Sequence, residues 1–207
     1  MLYNYGKKVF KIVLTGAPCG GKTDCMRFIA EYFEKMGYRV ICVNETAKEL
    51  YDAGLALSND HEATLFNYAF IELQKYKEDL YTNIAYGLKD EKVIVLFDRG
   101  ILDVAVFMGY QSFEDYSNER GVDINTLLAR YNAIIHLHTV AEYSFDVYNN
   151  RSTNPVRKEE AEKAFSMDKQ YTELWSKFYE VKEVDACKSF EDKIDKIKHI
   201  ILGIINK

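Results

Sequence analysis

The sequence predicts an α/β fold built on a parallel sheet. Short apolar segments rich in β-branched residues alternate with longer segments whose apolar residues recur at helical spacing, and parallel strands need such helical crossovers. Five strands are predicted, at residues 9–14, 39–44, 93–97, 133–138 and 178–184. Helices are predicted at 22–36, 46–53, 62–88, 101–108, 124–130, 158–175 and 190–205.

The first strand and the first helix enclose the most specific motif of the chain. Residues 16–23 read Gly-Ala-Pro-Cys-Gly-Gly-Lys-Thr and match the phosphate-loop pattern G-x-x-x-x-G-K-[ST] in full. Backbone N–H groups of such a loop point at the β-phosphate of a nucleotide, and the lysine bridges the β- and γ-phosphates. The threonine hydroxyl is expected at Mg²⁺. The expected nucleotide-binding residues are therefore Gly16, Ala17, Pro18, Cys19, Gly20, Gly21, Lys22 and Thr23.

The ends of the second and third strands carry acids and a base. In open α/β sheets the site lies at the carboxyl ends of the strands. Asp98 follows an apolar strand, which is the arrangement that holds a Mg²⁺-bound water, and Arg99 is expected to orient phosphate oxygens. Asp103 is expected one helical turn on, facing the same cavity. The alternative is an Asp98–Arg99 pair that only caps the next helix.

Glu45 ends the second strand, next to the phosphate loop in the usual topology. Its carboxylate is a candidate general base that takes a proton from an acceptor hydroxyl. Helix capping is the alternative, with Asn44 as the N-cap and Glu45 in the first turn. Both interpretations stay open, and one residue can do both.

Two polar segments are predicted to be loops, at 112–123 and 148–155. The second belongs to a predicted lid, about 142–160, in which Arg151 and Arg157 would approach the triphosphate when the lid closes. A solvated loop that happens to hold two arginines is the alternative.

Two further patterns favour packing over chemistry. The long helix at 62–88 is predicted to face the core with a stripe of Leu65, Tyr68, Ala69, Leu73, Tyr76, Leu80, Ile84 and Leu88. His136 and His138 alternate on the fourth strand and share one side of the sheet, so a metal site is conceivable. With no third histidine or cysteine at ligand spacing, we expect structural histidines.

Composition restricts the partners and the location. The chain has 207 residues, 48% of them hydrophobic, which suits a single domain over residues 1–207. The formal net charge of −5, with no dense Lys/Arg block, argues against nucleic acid as a principal partner. No signal peptide and no membrane span are predicted, so we expect a cytoplasmic protein.

With these residues assembled, the chain resembles the P-loop small-molecule kinases. It is most similar to the AAA-type ATP/GTP-binding family that includes ribosylnicotinamide-kinase-like proteins. The resemblance implies a three-layer P-loop NTPase fold with sheet order 2-3-1-4-5, Mg²⁺-nucleotide binding at residues 16–23, and a lid role for Arg157. The related deoxynucleoside kinases imply Glu45 as the base. Their third-strand signature is Glu-Arg-Ser, whereas this chain has Asp98-Arg99-Gly100, a departure that argues against a deoxynucleoside acceptor.

The function expected from these features is transfer of the γ-phosphoryl group of ATP to a small acceptor such as a nucleoside, a nucleotide or a nicotinamide-riboside-like molecule. The catalytic residues would be Lys22, Glu45, Asp98, Arg99 and Arg157, with Thr23 and Asp98 at Mg²⁺ and Arg151 at the nucleotide. A nucleotide-dependent switch or binding module with slow NTPase activity is the alternative. The choice between ATP and GTP, and a homodimer, stay open.

Overall fold

The computed structural model describes residues 7–55, 57–142, 161–186 and 189–206. Its centre is a five-stranded parallel sheet in the order β2-β3-β1-β4-β5, as expected. The strands are β1 (Lys8–Thr15), β2 (Arg39–Val43), β3 (Lys92–Asp98), β4 (Ala133–Leu137) and β5 (Lys182–Val184). The described helices are α1 (Lys22–Lys35), α2 (Thr46–Asp52), α3 (Asp60–Gly87), α4 (Ala105–Met108), α5 (Tyr110–Glu119), α6 (Ile124–Leu128), α7 (Ala161–Trp175) and α8 (Phe190–Ile205).

Alternating side chains of the strands build two cores, one on each face of the sheet. In β1, Val9 and Val13 point to the face covered by α3 and α7, where Phe66, Phe70 and Trp175 are buried. Ile12 and Leu14 point to the opposite face, where they pack against Ile29 and Phe33 of α1 and against Ile197 and Ile201 of α8. The central strands are therefore apolar on both faces, as their sequences indicate.

Strand register places the functional ends side by side. Leu14 of β1 pairs with Asp98 of β3, and Val43 of β2 pairs with Phe97 of β3. The backbone N–H of Arg99 then donates to the carbonyl of Leu14 at 3.0 Å. Consequently the phosphate loop after β1, residue 45 after β2 and residues 98–99 after β3 meet at one edge of the sheet.

The predicted core stripe of α3 was partly wrong, because Tyr68, Ala69 and Leu73 pack against the core but other members do not. Four of its members are exposed, namely Leu65, Tyr76, Leu80 and Ile84. The buried face is instead formed by Phe66, Phe70, Ile71, Gln74, Lys77, Glu78 and Ala85. The two phenylalanines of this face are buried, and its polar members bond to groups inside the protein. The four apolar residues named above lie outside this face and are therefore exposed.

The predicted loop at 112–123 was also wrong, because α5 covers Tyr110–Glu119. Phe113 and Tyr116, three residues apart, are buried, and the Tyr116 ring stacks on Tyr68 of α3 with 4.2 Å between ring centroids. These two residues and the partly buried Tyr110 anchor a mostly polar helix, which explains the weak sequence signal. The predicted helix at 101–108 is divided into a 3₁₀ turn, Ile101–Val104, and α4, and β5 begins four residues later than predicted.

None of the described helices has the length and apolarity needed to cross a membrane.

Candidate active site

The phosphate loop wraps tightly against the end of β4. Gly16 adopts φ +124°, and a Cβ atom at this position would lie 2.5 Å from the carbonyl oxygen of Leu137. Cys19 and Gly21 also have left-handed backbones, with φ of 58° and 76°. Three residues with positive φ in so short a segment curve the chain from β1 into α1, as a phosphate-binding loop requires.

Two ammonium groups lie against this loop. Lys22 Nζ donates to the carbonyl oxygens of Gly16 and Ala17 at 2.8 and 2.9 Å. Lys193 Nζ, from α8, donates to the carbonyl oxygen of Gly20 at 3.1 Å. Both side chains are buried. Their charges, together with the N-terminus of α1, create a positive potential at a place suited to an anion.

The residues predicted to hold Mg²⁺ are in contact. Thr23 Oγ1 donates to Asp98 Oδ2 at 2.6 Å. Asp98 is 2% exposed, and within the described residues its Oδ1 has no hydrogen-bond partner. Burial, with the nearby Glu45 charge, raises the pKa of Asp98. A hydroxyl and a carboxylate at this place fit hard-cation chemistry, and the buried oxygen without a donor fits a water carried by the cation.

Glu45 and Arg99 form a shielded ion pair beside the loop. Arg99 Nε donates to Glu45 Oε1 at 2.8 Å, and Arg99 Nη1 donates to the Gly16 carbonyl at 3.2 Å. Glu45 is the N-cap residue of α2, but its side chain makes no capping bond. The predicted Asn44 cap is therefore wrong, and the Glu45 carboxylate is directed to the arginine and not to the helix.

The 3₁₀ turn after β3 and helix α7 support this pair. Asp103 borders the same cavity as Glu45 and is buried, as expected for a residue one turn beyond Arg99. Its Oδ1 accepts from Thr15 Oγ1 at 2.7 Å and from the indole Nε1 of Trp175 at 2.6 Å. Tyr171, one turn earlier on α7, places its ring 5.3 Å from the Arg99 guanidinium. The position of Arg99 thus depends on α7.

Trp175 also explains the glycine at position 100. A Cβ atom at Gly100 would lie 2.7 Å from Cζ2 and 2.9 Å from Cη2 of the indole, and 3.2 Å from Val13 Cγ1. No side chain fits there while the indole occupies its place. The glycine in place of the serine of the Glu-Arg-Ser signature is therefore a packing requirement of this chain.

A cavity of about 320 Å³ opens beside the ion pair. This volume lies within the range of about 300–1,000 Å³ that is usual for small-molecule sites. Charged and polar side chains line part of the wall, including Glu45, Arg99, Asp103, Asn67, Lys48 and Lys163. Aromatic and aliphatic side chains line the rest, among them Tyr51, Leu57, Phe66, Phe70, Val104 and Phe107. Pro18 of the phosphate loop completes the lining, so the cavity adjoins the loop.

The structure brings together the predicted residues 16–23, Glu45, Asp98 and Arg99. Arg151, Arg157 and the predicted lid, apart from residue 142, lie outside the described residues. The described site residues are in contact because the strands that they follow end side by side. The apolar strands visible in the sequence were the signal that predicted this.

Two residues that position Arg99 and the phosphate loop were not predicted from the sequence. Gln74 accepts from Thr46 Oγ1 and donates from Nε2 to the carbonyl oxygen of Arg99 at 3.0 Å. Asp168 Oδ1 accepts from the backbone N–H of Ala17 at 2.9 Å. Each is a polar residue on the buried face of an amphipathic helix. A polar residue at an apolar position of the helical repeat is the signal that could have identified them.

Comparison with known proteins agrees with this geometry. Residues 11–193 match the family model described as AAA domain. A protein of Thermococcus onnurineus named probable thymidylate kinase is 27% identical over 197 residues, covering 87% of this chain and 91% of that protein. The phosphate loop, the sheet order and these similarities support a nucleotide-binding protein of the kinase type, and the chain belongs to the AAA domain family.

Proposed function

We propose that this chain is a kinase that transfers the γ-phosphoryl group of a nucleoside triphosphate to a small acceptor bound in the cavity beside Glu45 and Arg99. The observation that carries the proposal is the position of that cavity. It adjoins the phosphate loop at Pro18 and has the ion pair in its wall. A donor on the loop and an acceptor in the cavity would therefore meet at the two charged side chains.

On the donor side, the loop N–H groups and Lys22 would bind the β- and γ-phosphates of ATP or GTP. Thr23 and Asp98 would hold Mg²⁺, directly or through water, because they offer a hydroxyl and a carboxylate 2.6 Å apart. The cation neutralises charge on the phosphates when it is bound. Asp98 is fixed by β3 and Thr23 by α1, so the oxygens need no rearrangement to meet it.

On the acceptor side, the Glu45 carboxylate would take the proton of the acceptor hydroxyl as the new O–P bond forms and the bond to the β-phosphate oxygen breaks. Arg99 would then stabilise the negative charge on the transferring group, since its guanidinium already lies between Glu45 and the loop carbonyl of Gly16.

The wall of the cavity suits an acceptor with a flat ring and a polar end. Phe66, Phe70 and Phe107 offer aromatic surface, and the Asn67 amide offers both a donor and an acceptor. Lys48 and Asp52, which pair with each other, add one charge of each sign. A nucleoside, a nucleotide and a nicotinamide-riboside-like molecule all have these features. A nucleotide acceptor, which the name of the Thermococcus relative, probable thymidylate kinase, favours, would attack through a phosphate oxygen that is mostly ionised at neutral pH, so the base role of Glu45 applies to a hydroxyl acceptor.

Arg151 and Arg157 remain the proposed lid cations. Closing the lid would bring them to the phosphates and exclude water as a competing acceptor. Lys163 lies just after this segment and lines the cavity, so a cation from the start of α7 already faces the proposed acceptor site.

The experiment is a measurement of ADP and GDP release in the presence of Mg²⁺, with ATP or GTP as donor, across nucleosides, mononucleotides and nicotinamide riboside. Lys22→Ala serves as the blank. We expect one acceptor class to stimulate release at least tenfold over the acceptor-free rate. Slow release that no acceptor stimulates would contradict the kinase proposal and favour the nucleotide-dependent switch.

Glu45→Gln tests the base, with Glu49→Gln as a matched control on the same helix. Glu49 pairs with Lys77 and does not line the cavity. We expect Glu45→Gln to lower kcat about 10²-fold or more while nucleotide affinity stays unchanged. Full turnover in Glu45→Gln, or an equal loss in Glu49→Gln, would refute the role of Glu45. The single-domain organisation, the cytoplasmic location and the homodimer stay predictions.

A further inference from the structure

A second polar cluster lies behind the phosphate loop, at the end of β4. His136, His138 and Asp168 each offer one ligand atom, and these three atoms lie within 4.8 Å of one another. His136 is fully buried and Asp168 nearly so, whereas the His138 side chain is 17% exposed. A metal site was not expected from the sequence, because no third histidine or cysteine stands at ligand spacing. In the structure the third candidate ligand is a carboxylate on α7.

His136 has the geometry of a ligand and not of a hydrogen-bonded side chain. Its Nε2 lies 3.2 Å from Asp168 Oδ1, yet within the part of the chain that the structure describes neither ring nitrogen of His136 makes a hydrogen bond. A buried imidazole whose nitrogens make no hydrogen bond, although one of them lies beside a carboxylate, is costly. Ligand atoms of a tetrahedral zinc site stand about 3.3 Å apart, given bonds of about 2.0–2.1 Å, and point at the ion rather than at one another.

The surroundings of the other two ligands match the outer shell of a metal site. His138 Nδ1 lies 2.7 Å from Asp168 Oδ2, while its Nε2 lies 2.8 Å from Glu183 Oε2. A metal-ligating histidine usually donates its second N–H to a carboxylate in this way. The backbone N–H of Ala17 donates to Asp168 Oδ1, which leaves each carboxylate oxygen a lone pair on the histidine side.

We propose that His136, His138 and Asp168 bind one divalent transition-metal ion, with Zn²⁺ as the preferred ion. Two imidazoles and one carboxylate are donors that suit zinc, whereas Mg²⁺ prefers oxygen ligands only. The exposed edge of His138 provides the route of entry and a place for a water ligand. The ion would separate His138 Nδ1 from Asp168 Oδ2 by about half an ångström more than the present 2.7 Å.

Such an ion would connect β4 to α7 and, through the bond from Ala17 to Asp168, would support the phosphate loop from behind. The proposal does not depend on kinase activity. It concerns a site separate from the Thr23–Asp98 pair, and it would hold equally in a nucleotide-dependent switch.

The test uses the full chain without an affinity tag, freed of metal by chelation and dialysis. Co²⁺ is titrated in while the visible d–d absorption is followed, Zn²⁺ is used as the competitor, and equilibrium dialysis gives the stoichiometry. We expect one ion per chain, tetrahedral Co²⁺ bands that Zn²⁺ removes and excess Mg²⁺ does not, and a higher midpoint of thermal unfolding with Zn²⁺.

Three variants locate the site. His138→Ala, at a partly exposed position where folding should be retained, is expected to weaken Co²⁺ affinity at least 100-fold. Glu183→Gln, which leaves the ligands intact, is expected to weaken it about tenfold. His61→Ala removes an exposed histidine elsewhere and should leave the affinity unchanged. Circular dichroism confirms the folding of each variant.

The absence of one-equivalent Co²⁺ binding to the wild-type chain would overturn the proposal. Unchanged binding in His138→Ala, or thiolate charge-transfer bands that indicate cysteine ligands, would overturn it as well. Binding that is lost in Asp98→Asn but retained in His138→Ala would place the ion at the phosphate site and would also refute the inference.

Discussion

Replacing Gln74 by leucine should destabilise the protein, because the amide of Gln74 joins three elements around the ion pair. Gln74 accepts from the Thr46 hydroxyl at the start of α2 and donates to the Arg99 carbonyl after β3 and to Glu78 Oε1 one turn further along α3. Gln74 is 1% exposed, so water does not replace these partners when the amide is lost. Leucine keeps the approximate volume and removes only the hydrogen bonds.

The magnitude follows from counting the groups left without a partner. Glu78 keeps the Tyr131 hydroxyl at 2.7 Å and the guanidinium of Arg130 at 3.1 Å, so it remains satisfied. The Thr46 hydroxyl and the Arg99 carbonyl lose the bonds that they make to Gln74. Each buried polar group left unpaired costs about 1–2 kcal/mol, which predicts a loss of about 2–4 kcal/mol in the free energy of unfolding.

Urea unfolding of Gln74→Leu measures this loss, and Gln111→Leu is the matched control. Gln111 is exposed on α5, where it bonds to Glu114 and Asp115, so its loss should change the free energy of unfolding by less than about 0.5 kcal/mol. A loss under 1 kcal/mol in Gln74→Leu, or equal losses in the two variants, would refute the reasoning. Arg99 has a left-handed backbone, with φ of 78°, and the bond from Gln74 to its carbonyl helps to hold this conformation. Gln74→Leu should therefore displace Arg99 and lower phosphoryl transfer more than nucleotide affinity.

Three further predictions concern single contacts. Gly100→Ala should lower the free energy of unfolding in urea by about 1–3 kcal/mol, because its Cβ would lie 2.7 Å from the buried indole. Gly203→Ala is the control, and since a Cβ there meets nothing within 4 Å it should be neutral or stabilising. Similar effects in the two variants would contradict the packing argument. Hydrogen bonds from the backbone and side chain of Ser58 lower the pKa of Glu62 from its ordinary value of 4.5. The ionised Glu62 carboxylate therefore stabilises the folded protein above pH 4.5, and this stabilisation is lost as the pH falls through the lowered pKa of the folded state. The urea midpoints of wild type and Glu62→Gln should therefore converge on acidification, and a gap that widens would show the opposite sign. Thr23→Val should lower the Mg²⁺-dependent part of nucleotide affinity at least tenfold in equilibrium titrations, and unchanged affinity with and without EDTA would exclude Thr23 from the cation site.

Local motifs and strand ends made most of the site predictable. The phosphate loop is a contiguous pattern whose chemistry depends on the backbone, so its eight residues identify it without a structure. Glu45, Asp98 and Arg99 are distant in sequence, but each directly follows an apolar strand. Because parallel strands end at one edge, finding the strands was enough to bring these residues together.

The residues that hold the site from behind were not predictable in the same way. Gln74 and Asp168 lie within helices, and their partners include backbone and side-chain groups that belong to other elements. Helical periodicity assigned the apolar stripe of α3 to the core, whereas the protein buries the face that carries Gln74 and Glu78. Hydrophobic pattern alone does not count hydrogen-bond partners, and here those partners, with two phenylalanines, determined the rotation of the helix.

The packing around Cys19 has a consequence for how the chain can vary. Ala141, just before the segment 143–160, and Ala161, just after it, belong to one small cluster of buried residues that also contains Val140 and Ala164 and packs against Cys19. The two ends of the segment are therefore held together by the rest of the protein. Changes in the length or sequence of this segment should leave these contacts, and with them the positions of its two ends, unchanged.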